Sequence, residues 1–307
     1  MKILAASQAI INLAIGHQNA LPVSHESPET HFPAFRFADR AGAPHLFECP
    51  DFPYPLIIES YALSSQYDRI AECTSAEPLF ALALNGEGFH GQHNRPWLAG
   101  KGNLHLCARI PLAQPTLTPL YQIIPSLAAA RLLNDQVKLK WPNDLVLEHP
   151  LRKLGGALTG IFTSAAPNAQ KALVIGIGLN LCFAPSVMTF GELGAAACFI
   201  NAFDLNTQSS LHHKIACETM KNIGILYDEV LNTPNAVLDE YRARLIGLNT
   251  HVLLADSLTN EIVASGIFEN IDDDFAICLK GHAKSYKNVR IKFPDDADSH
   301  TRFQLTN

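Results

Sequence analysis

Three short stretches decide the reading of this chain: Lys140-Trp141-Pro142-Asn143-Asp144, Lys153-Leu154-Gly155-Gly156 and Gly176-Ile177-Gly178-Leu179-Asn180. Each lies at or in a strand candidate: Val137 to Trp141, Asp144 to Leu147, Leu154 to Phe162 and Lys171 to Leu181 are apolar runs bounded by turn residues. Two strand ends and one glycine-bearing strand then bring together two lysines, an amide, a carboxylate and exposed backbone N–H groups. That set suits a phosphate ester and a divalent ion. Lysines neutralise charge developing on phosphate, Asn143 and Asp144 can hold nucleotide oxygens or Mg²⁺, and glycine lets a ligand approach the backbone. The chain has no G-x-x-x-x-G-K-[ST] pattern, so a P-loop is excluded.

Working outward, Pro55 to Glu59 reads as a strand and Tyr61 to Cys73 as a helix. Leu79 to Leu84 and Asn103 to Ala108 read as further strands, separated by a polar, glycine-bearing loop from Asn85 to Lys101. Thr116 to Leu133 reads as a helix carrying Pro119 and Pro125, and Ser209 to Leu231 and Ala236 to Leu245 as two more. Beyond Gly247 the texture becomes that of a small β module: Val252 to Leu254, Ile262 to Phe268, Phe275 to Leu279 and Val289 to Ile291, with Asp272-Asp273-Asp274 at a hairpin turn. Short strands with Asp, Asn and Gly turns in about fifty residues suggest a small C-terminal barrel.

Bulk properties narrow the function. A chain of 307 residues that is 48% hydrophobic can bury a full core. A net charge of −6 provides no basic field for nucleic acid or an anionic membrane, and no helix-turn-helix pattern is visible near the N-terminus. No run has the length of a membrane-spanning helix. The apolar residues near Met1 are interrupted by Gln8 and Asn12, so a secretory signal is not expected. Seven cysteines without a C-x-x-C pair suit buried thiols in a reducing cytoplasm.

The order and spacing of the three opening stretches resemble the biotin protein ligases of the biotin/lipoate ligase superfamily. Their signature reads K-W-P-N-D, then K-L-[AG]-G-I, then G-[IA]-G-[IL]-N. Upstream, Gly91 to Trp97 followed by Gly102-Asn103-Leu104 looks like the family's adenylate-binding loop; Leu63-Ser64-Ser65-Gln66 falls on its S-T-N-Q helix start; downstream, Tyr241 to Ile291 is similar to its SH3-like domain. The resemblance covers residues 56 to 293 and implies an α+β fold, a mixed β-sheet flanked by helices in a class II synthetase-like catalytic domain without a DNA-binding module, with a small SH3-like β-barrel appended. The units it implies are 1–55, an extension of unknown role; 56–246, the catalytic domain; 247–296, the SH3-like domain; and 297–307, a tail.

It further implies an ATP-dependent enzyme that forms biotinyl-adenylate with Mg²⁺ and passes biotin to a lysine on the carrier domain of a biotin-dependent carboxylase, as a monomer or homodimer. Lys153, Arg95 and Lys140 would act in catalysis. Asn143, Asp144, Lys153, Asn180 and Trp97 would hold ATP, with Asp144 on the metal. Ser64, Ser65, Gln66, Asn85, Gly91, Gln92, Trp97, Gly155, Gly156, Gly176 and Gly178 would bind substrate. Residues 1–50 are expected to be dispensable for adenylation.

Departures from the family pattern are concentrated in the loop and ring pocket. The arginine-rich loop is here Gly88-Phe89-His90-Gly91-Gln92-His93-Asn94-Arg95, with one arginine. Gln92 stands where the family has the arginine that retains the adenylate. His90 and His93 replace two more and are expected to be largely neutral at pH 7 unless a phosphate raises their pKa. Gly86 stands in place of the ring-recognising glutamine, with Asn85 as a substitute. These changes keep two alternatives open: a lipoate or octanoate ligase, and a non-catalytic ligand-binding member. Zinc binding by His90 and His93 is not expected, because no further ligands accompany them.

Overall fold

The computed structural model describes residues 2–5, 21–22, 45–48, 54–73, 77–133, 135–147, 151–163, 171–184 and 205–294. Ten strands form one mixed sheet: β1 (Lys2–Ala5), β2 (Leu21–Pro22), β3 (His45–Glu48), β4 (Leu56–Glu59), β5 (Leu79–Ala83), β6 (Leu104–Pro111), β7 (Val137–Lys140), β8 (Asp144–Leu147), β9 (Arg152–Thr163) and β10 (Lys171–Leu179). Their order is β2-β3-β1-β4-β5-β6-β10-β9-β8-β7. β4 is parallel to β1 and to β5, and every other ladder is antiparallel.

The alternation of side chains along these strands separates two apolar faces. Leu104, Leu106, Ala108 and Ile110 of β6, with Leu173, Ile175, Ile177 and Leu179 of β10, join the main core. Cys107 of β6 and Val174 of β10 face a second, smaller cluster with Ile57, Leu79 and Ala81. Helix α1 (Gln66–Ala71) covers that second face through Tyr67, Ile70 and Ala71. Helices α2 (Thr118–Tyr121), α3 (Ile123–Ala130), α4 (Leu205–Asn232) and α5 (Pro234–Ala243) lie on the main core side, and every residue of α3 is buried.

Two helix expectations need correction. The segment from Thr116 to Leu133 is broken into a 3₁₀ turn at Pro115–Leu117 and two helices, α2 and α3. Pro119 and Pro125 each lie in a first turn, where a missing N–H costs no helical hydrogen bond. The helix expected over Tyr61 to Cys73 is shorter, because Ala62 bridges to Gly86 and the helix begins only at Gln66.

The C-terminal unit is an antiparallel five-stranded sheet. Its strands β11 (His251–Asp256), β12 (Ile262–Ile271), β13 (Ile277–Leu279), β14 (Ser285–Tyr286) and β15 (Val289–Lys292) run in the order β14-β13-β12-β11-β15. The sheet is open among the described residues, in place of the expected closed barrel. Asp272 makes the predicted turn, its Oδ1 accepting the backbone N–H groups of Asp274 and Ala276 at 3.1 and 2.8 Å. Trp141 fastens the unit to the Lys140–Asp144 turn by donating its indole N–H to the Phe275 carbonyl at 3.2 Å. The chain leading into it is held to the same hairpin, since Tyr241 donates its hydroxyl to the Pro142 carbonyl at 2.9 Å and the Ile246 N–H reaches the Leu139 carbonyl at 2.9 Å.

Among the described residues no helix is long and apolar enough to cross a membrane. The segment 1–55 contributes to the main sheet, since β1 pairs with β4 through Ile3↔Leu56 and Leu4↔Ile57. Deletion of residues 1–50 would turn β4 into an open edge. We expect the truncated chain to unfold about 5 °C lower and to associate at high concentration while still binding ligand in the cold. Unchanged melting by circular dichroism would show that the added strands contribute nothing to stability.

Candidate active site

A cavity of about 630 Å³ opens on the α1 side of the main sheet, where β9 and β10 meet the Lys140–Asp144 turn. Its floor is made by glycine. A Cβ on Gly178 would come within 2.6 Å of the Trp97 indole, and one on Gly176 within 3.1 Å of the Tyr67 ring. Side chains at either position would displace an aromatic wall, so close backbone approach here depends on glycine. The Trp97 indole N–H is buried and has no hydrogen-bond partner among the described residues.

The charged end is built by one turn and two strands. Register pairs Lys140 of β7 with Asp144 of β8, and Asp144 with Gly156 of β9. Lys153 donates from Nζ to Asp144 Oδ1 at 2.6 Å. Asn143 donates its side-chain amide to the Ala157 carbonyl across the same strands. Lys140 is buried, with its Nζ 5.9 Å from the centre of the Phe293 ring. Burial alone would raise the Asp144 pKa, but Lys153, Lys140 and Arg95 outweigh it and hold the carboxyl below its ordinary range.

Four permanent cations, Arg95, Lys140, Lys153 and Arg290, line the cavity against one carboxylate, Asp144. An anionic ligand is what such an excess attracts. Among the described residues no group of three or more His, Cys, Asp or Glu side chains could hold a metal by itself. Asp144 therefore fits a Mg²⁺ carried mainly by ligand phosphates, the usual arrangement for that ion.

Most of the residues singled out from sequence meet in this one cavity. Ser65 and Gln66 enter from the start of α1; Gly91, Gln92, Arg95 and Trp97 from the loop; and Lys140, Asn143, Asp144, Lys153, Gly156 and Asn180 from the strands and their turn. Asn180 is held by Asn103, whose Nδ2 donates to its Oδ1 at 3.3 Å. Three of the singled-out residues stand elsewhere. Ser64 is exposed outside the cavity. The Asn85 Oδ1 accepts the N–H of Gly86 at 2.9 Å, on its own turn. Gly155 lies beneath β10, where a Cβ would strike the Gly178 carbonyl, so its size serves strand packing.

The two loop histidines also differ from expectation. His90 lines the cavity wall but turns its Nε2 to the Asp68 carboxylate at 2.9 Å, and His93 is not among the lining residues. Burial pulls the His90 pKa down, while the Gly91 carbonyl and Asp68 outweigh it and leave it above the ordinary value. A protein carboxylate thus does what a phosphate was expected to do.

Sequence reasoning missed Tyr67, Phe89, His105, Cys107 and Leu158, and the C-terminal Ser257 and Arg290, all of which line the cavity. Strand alternation could have found two of them: His105 and Cys107 point opposite to Leu104 and Leu106. Nothing in the sequence marks Arg290, whose position depends on how the C-terminal sheet docks. Burial pushes the Cys107 thiol up to about 12, so it is no nucleophile near pH 7.

The site is thus an apolar-walled cavity with a cation cluster at one end, which suits an anionic ligand carrying an apolar part. No protein-family model matches the chain. In sequence it is 31% identical over 159 residues to the bifunctional ligase/repressor BirA of Escherichia coli, covering 48% of this chain and 47% of that one. It is 29% identical over 241 residues to the biotin--[acetyl-CoA-carboxylase] ligase of Paracoccus denitrificans, covering 69% of this chain and 92% of that one. Its fold matches the biotin protein ligase from Aquifex aeolicus, solved in complex with biotin and ATP, with a TM-score of 0.60 at 17% identity over 78% of this chain and 99% of that one. In sequence and in fold, then, the chain is similar to biotin protein ligases. It spans under half the length of the Escherichia coli protein and 40% of the length of biotin--protein ligase 2 of Arabidopsis thaliana.

Proposed function

We propose that the chain activates biotin with ATP and transfers it to a lysine of a biotin carboxyl carrier domain. The observation that carries this reading is that the Lys153–Asp144 pair and the glycine floor of Gly176 and Gly178 line a single cavity. In the first step a biotin carboxylate oxygen attacks the α-phosphorus of ATP and pyrophosphate leaves. In the second, a carrier lysine amine attacks the mixed anhydride carbonyl, AMP leaves, and the amine gives up a proton. No covalent enzyme intermediate is required. Lys153, Lys140 and Arg95 would neutralise charge on the phosphoryl oxygens, and Asn143, Asp144 and Asn180 would position the nucleotide. Mg²⁺ bound with the phosphates supplies further charge neutralisation. The unpartnered Trp97 N–H would donate to a ligand acceptor beside Gly178.

Biotin is favoured over lipoate or octanoate because the relatives from Arabidopsis thaliana and Paracoccus denitrificans carry biotin in their names. The carboxylase carrier is favoured by the name of the Paracoccus relative. Retention of Lys153, Asn143 and Asp144 in one place argues against a non-catalytic role. We read residues 247–296 as an SH3-like module flanking the site, and a cytoplasm as the working compartment. The test is intact mass of a carrier domain after incubation with the chain, ATP, Mg²⁺ and either biotin or lipoate. A biotin adduct is expected. A lipoyl adduct alone, or no pyrophosphate from any acid, would overturn the proposal.

Gln92 bears on retention of the intermediate. It lines the cavity in a 3₁₀ turn at the loop tip and brings no charge to the phosphate. Gln92→Arg is expected to slow dissociation of labelled biotinyl-adenylate on the order of tenfold, the effect of one charged hydrogen bond. Wild type should correspondingly label bystander lysines without a carrier. Equal release rates would remove position 92 from retention.

A further inference from the structure

The loop over the cavity is a small hairpin closed on itself. The Gly91 N–H donates to the Arg95 carbonyl at 2.8 Å and the Trp97 N–H to the Phe89 carbonyl at 2.8 Å, with His90 bridged to Pro96 between them. These bonds shape the hairpin but do not attach it to α1. Phe89 packs on the His105 ring of β6, with centroids 5.1 Å apart, and Trp97 lies over Gly178 of β10; His90 supplies the polar contact to α1, and both its ring nitrogens are engaged. Nε2 lies 2.9 and 3.1 Å from the two oxygens of Asp68 on α1, and Nδ1 lies 3.1 Å from the Gly91 carbonyl. A carboxylate and a carbonyl can only accept. A neutral imidazole has one N–H, so it can satisfy one of these contacts; both are made only by the imidazolium.

We infer that His90 and Asp68 form a protonation-dependent latch that docks the 89–97 hairpin onto α1 at the rim of the cavity. The groups facing the His90 ring are the Asp68 carboxylate and the Tyr67 ring on α1, the latter edge-on with centroids 6.1 Å apart, and the Gly91 carbonyl in the hairpin itself. The upward shift of the His90 pKa agrees with this geometry. Its sign follows: a folded pKa above the unfolded one makes docking strongest at low pH, and docking weakens as pH rises through the folded value. Arg95 and Trp97 ride on the same hairpin, so His90 and Asp68 act as positioning residues for them. This last consequence rests on the proposed ligase function; the latch itself does not.

The test uses the free full-length chain between pH 5.5 and 8.5. The His90 titration is followed by NMR, and amide protection factors, which correct for intrinsic exchange, are measured across residues 89–97 in wild type and Asp68→Asn. His90 should titrate above an ordinary histidine, and protection should fall about fivefold, the scale of a half-exposed ion pair, as pH passes that value. Asp68→Asn should lower the His90 pKa and bring the loss of protection to lower pH. A His90 that titrates at or below the ordinary value, or hairpin protection that is independent of pH in both proteins, overturns the latch. Adenylate formation measured on the same samples separates the two proposals. Latch behaviour without adenylate supports the latch and sinks the ligase reading; adenylate with a pH-insensitive hairpin does the reverse.

Discussion

Replacing Lys153 with alanine is expected to lower pyrophosphate release by about 10²–10³-fold, the usual loss when one preorganised donor is taken from developing charge. The fold should survive, because the Lys153 side chain is partly exposed and lies outside the apolar clusters. Its ion pair with Asp144 is similarly accessible, so its removal should cost no more than about 1 kcal/mol of stability. The variant should also shift the titration of Asp144. Lys153 is the largest of the charges holding that carboxyl down, so its pKa should move up toward the ordinary range. The sign for wild type is the carboxylate one: stability from this pair is present above the unfolded Asp pKa and is lost as pH falls through the depressed folded value. In the variant that acid-side loss should be smaller. Pyrophosphate release within a few-fold of wild type would remove Lys153 from the chemistry, however well the protein folds.

Glu59→Ala is expected to cost about 3 kcal/mol of stability, near the lower end for breaking a buried ion pair from one side. Glu59 is 2% exposed and receives three hydrogen bonds from α1: Gln66 Nε2 at 2.6 Å, Arg69 Nη1 at 2.8 Å and Arg69 Nη2 at 2.5 Å. Truncation leaves the Gln66 amide and the Arg69 guanidinium without that acceptor in a largely dry place. Because Ser65, Gln66 and Tyr67 line the cavity, a loosened α1 should also weaken binding of the proposed ligand, biotin. Glu59→Gln, which keeps the shape but not the charge, should fall between wild type and alanine. Urea denaturation and biotin titration read the two effects, and a stability change below about 1 kcal/mol would mean that α1 is held by Ile70 and Tyr67 packing instead.

The strands around the site were legible in sequence because they combine apolar runs with turn chemistry. Val137–Lys140, Asp144–Leu147 and Lys171–Leu179 lie where periodicity and glycine placed them. The meeting of Lys140 with Asp144 was legible too, since hairpin register juxtaposes them, whereas Lys153 pairs with Val146 and reaches Asp144 across a register irregularity at Leu145–Val146 that no sequence pattern announced. Long-range packing was less accessible. The Pro residues inside 116–133 signalled trouble without saying that two helices would result. The pairing of β1 with β4 joins residues more than fifty positions apart, and no local pattern reports it. Arg290 reaches the cavity only because the Trp141 and Arg242 contacts seat the C-terminal sheet against the Lys140–Asp144 turn. His90 was visible, but its partner Asp68 lies in another element, so the loop looked less tethered than it is.

On β6 and β10 the residues that fill the interior alternate with those that face the cavity: Leu104, Leu106 and Ala108 against His105 and Cys107, and Ile175, Ile177 and Leu179 against Gly176 and Gly178, with Leu106 and Ile177 also bordering the cavity. Because the side-chain period is two, a point exchange on the ligand side leaves the interior side untouched, whereas gain or loss of one residue would swap the two roles along the rest of the strand. Ligand preference in such a protein can drift through exchanges at cavity-facing positions while the lengths of these two strands stay locked, and a library meant to change its ligand should vary letters there and never spacing.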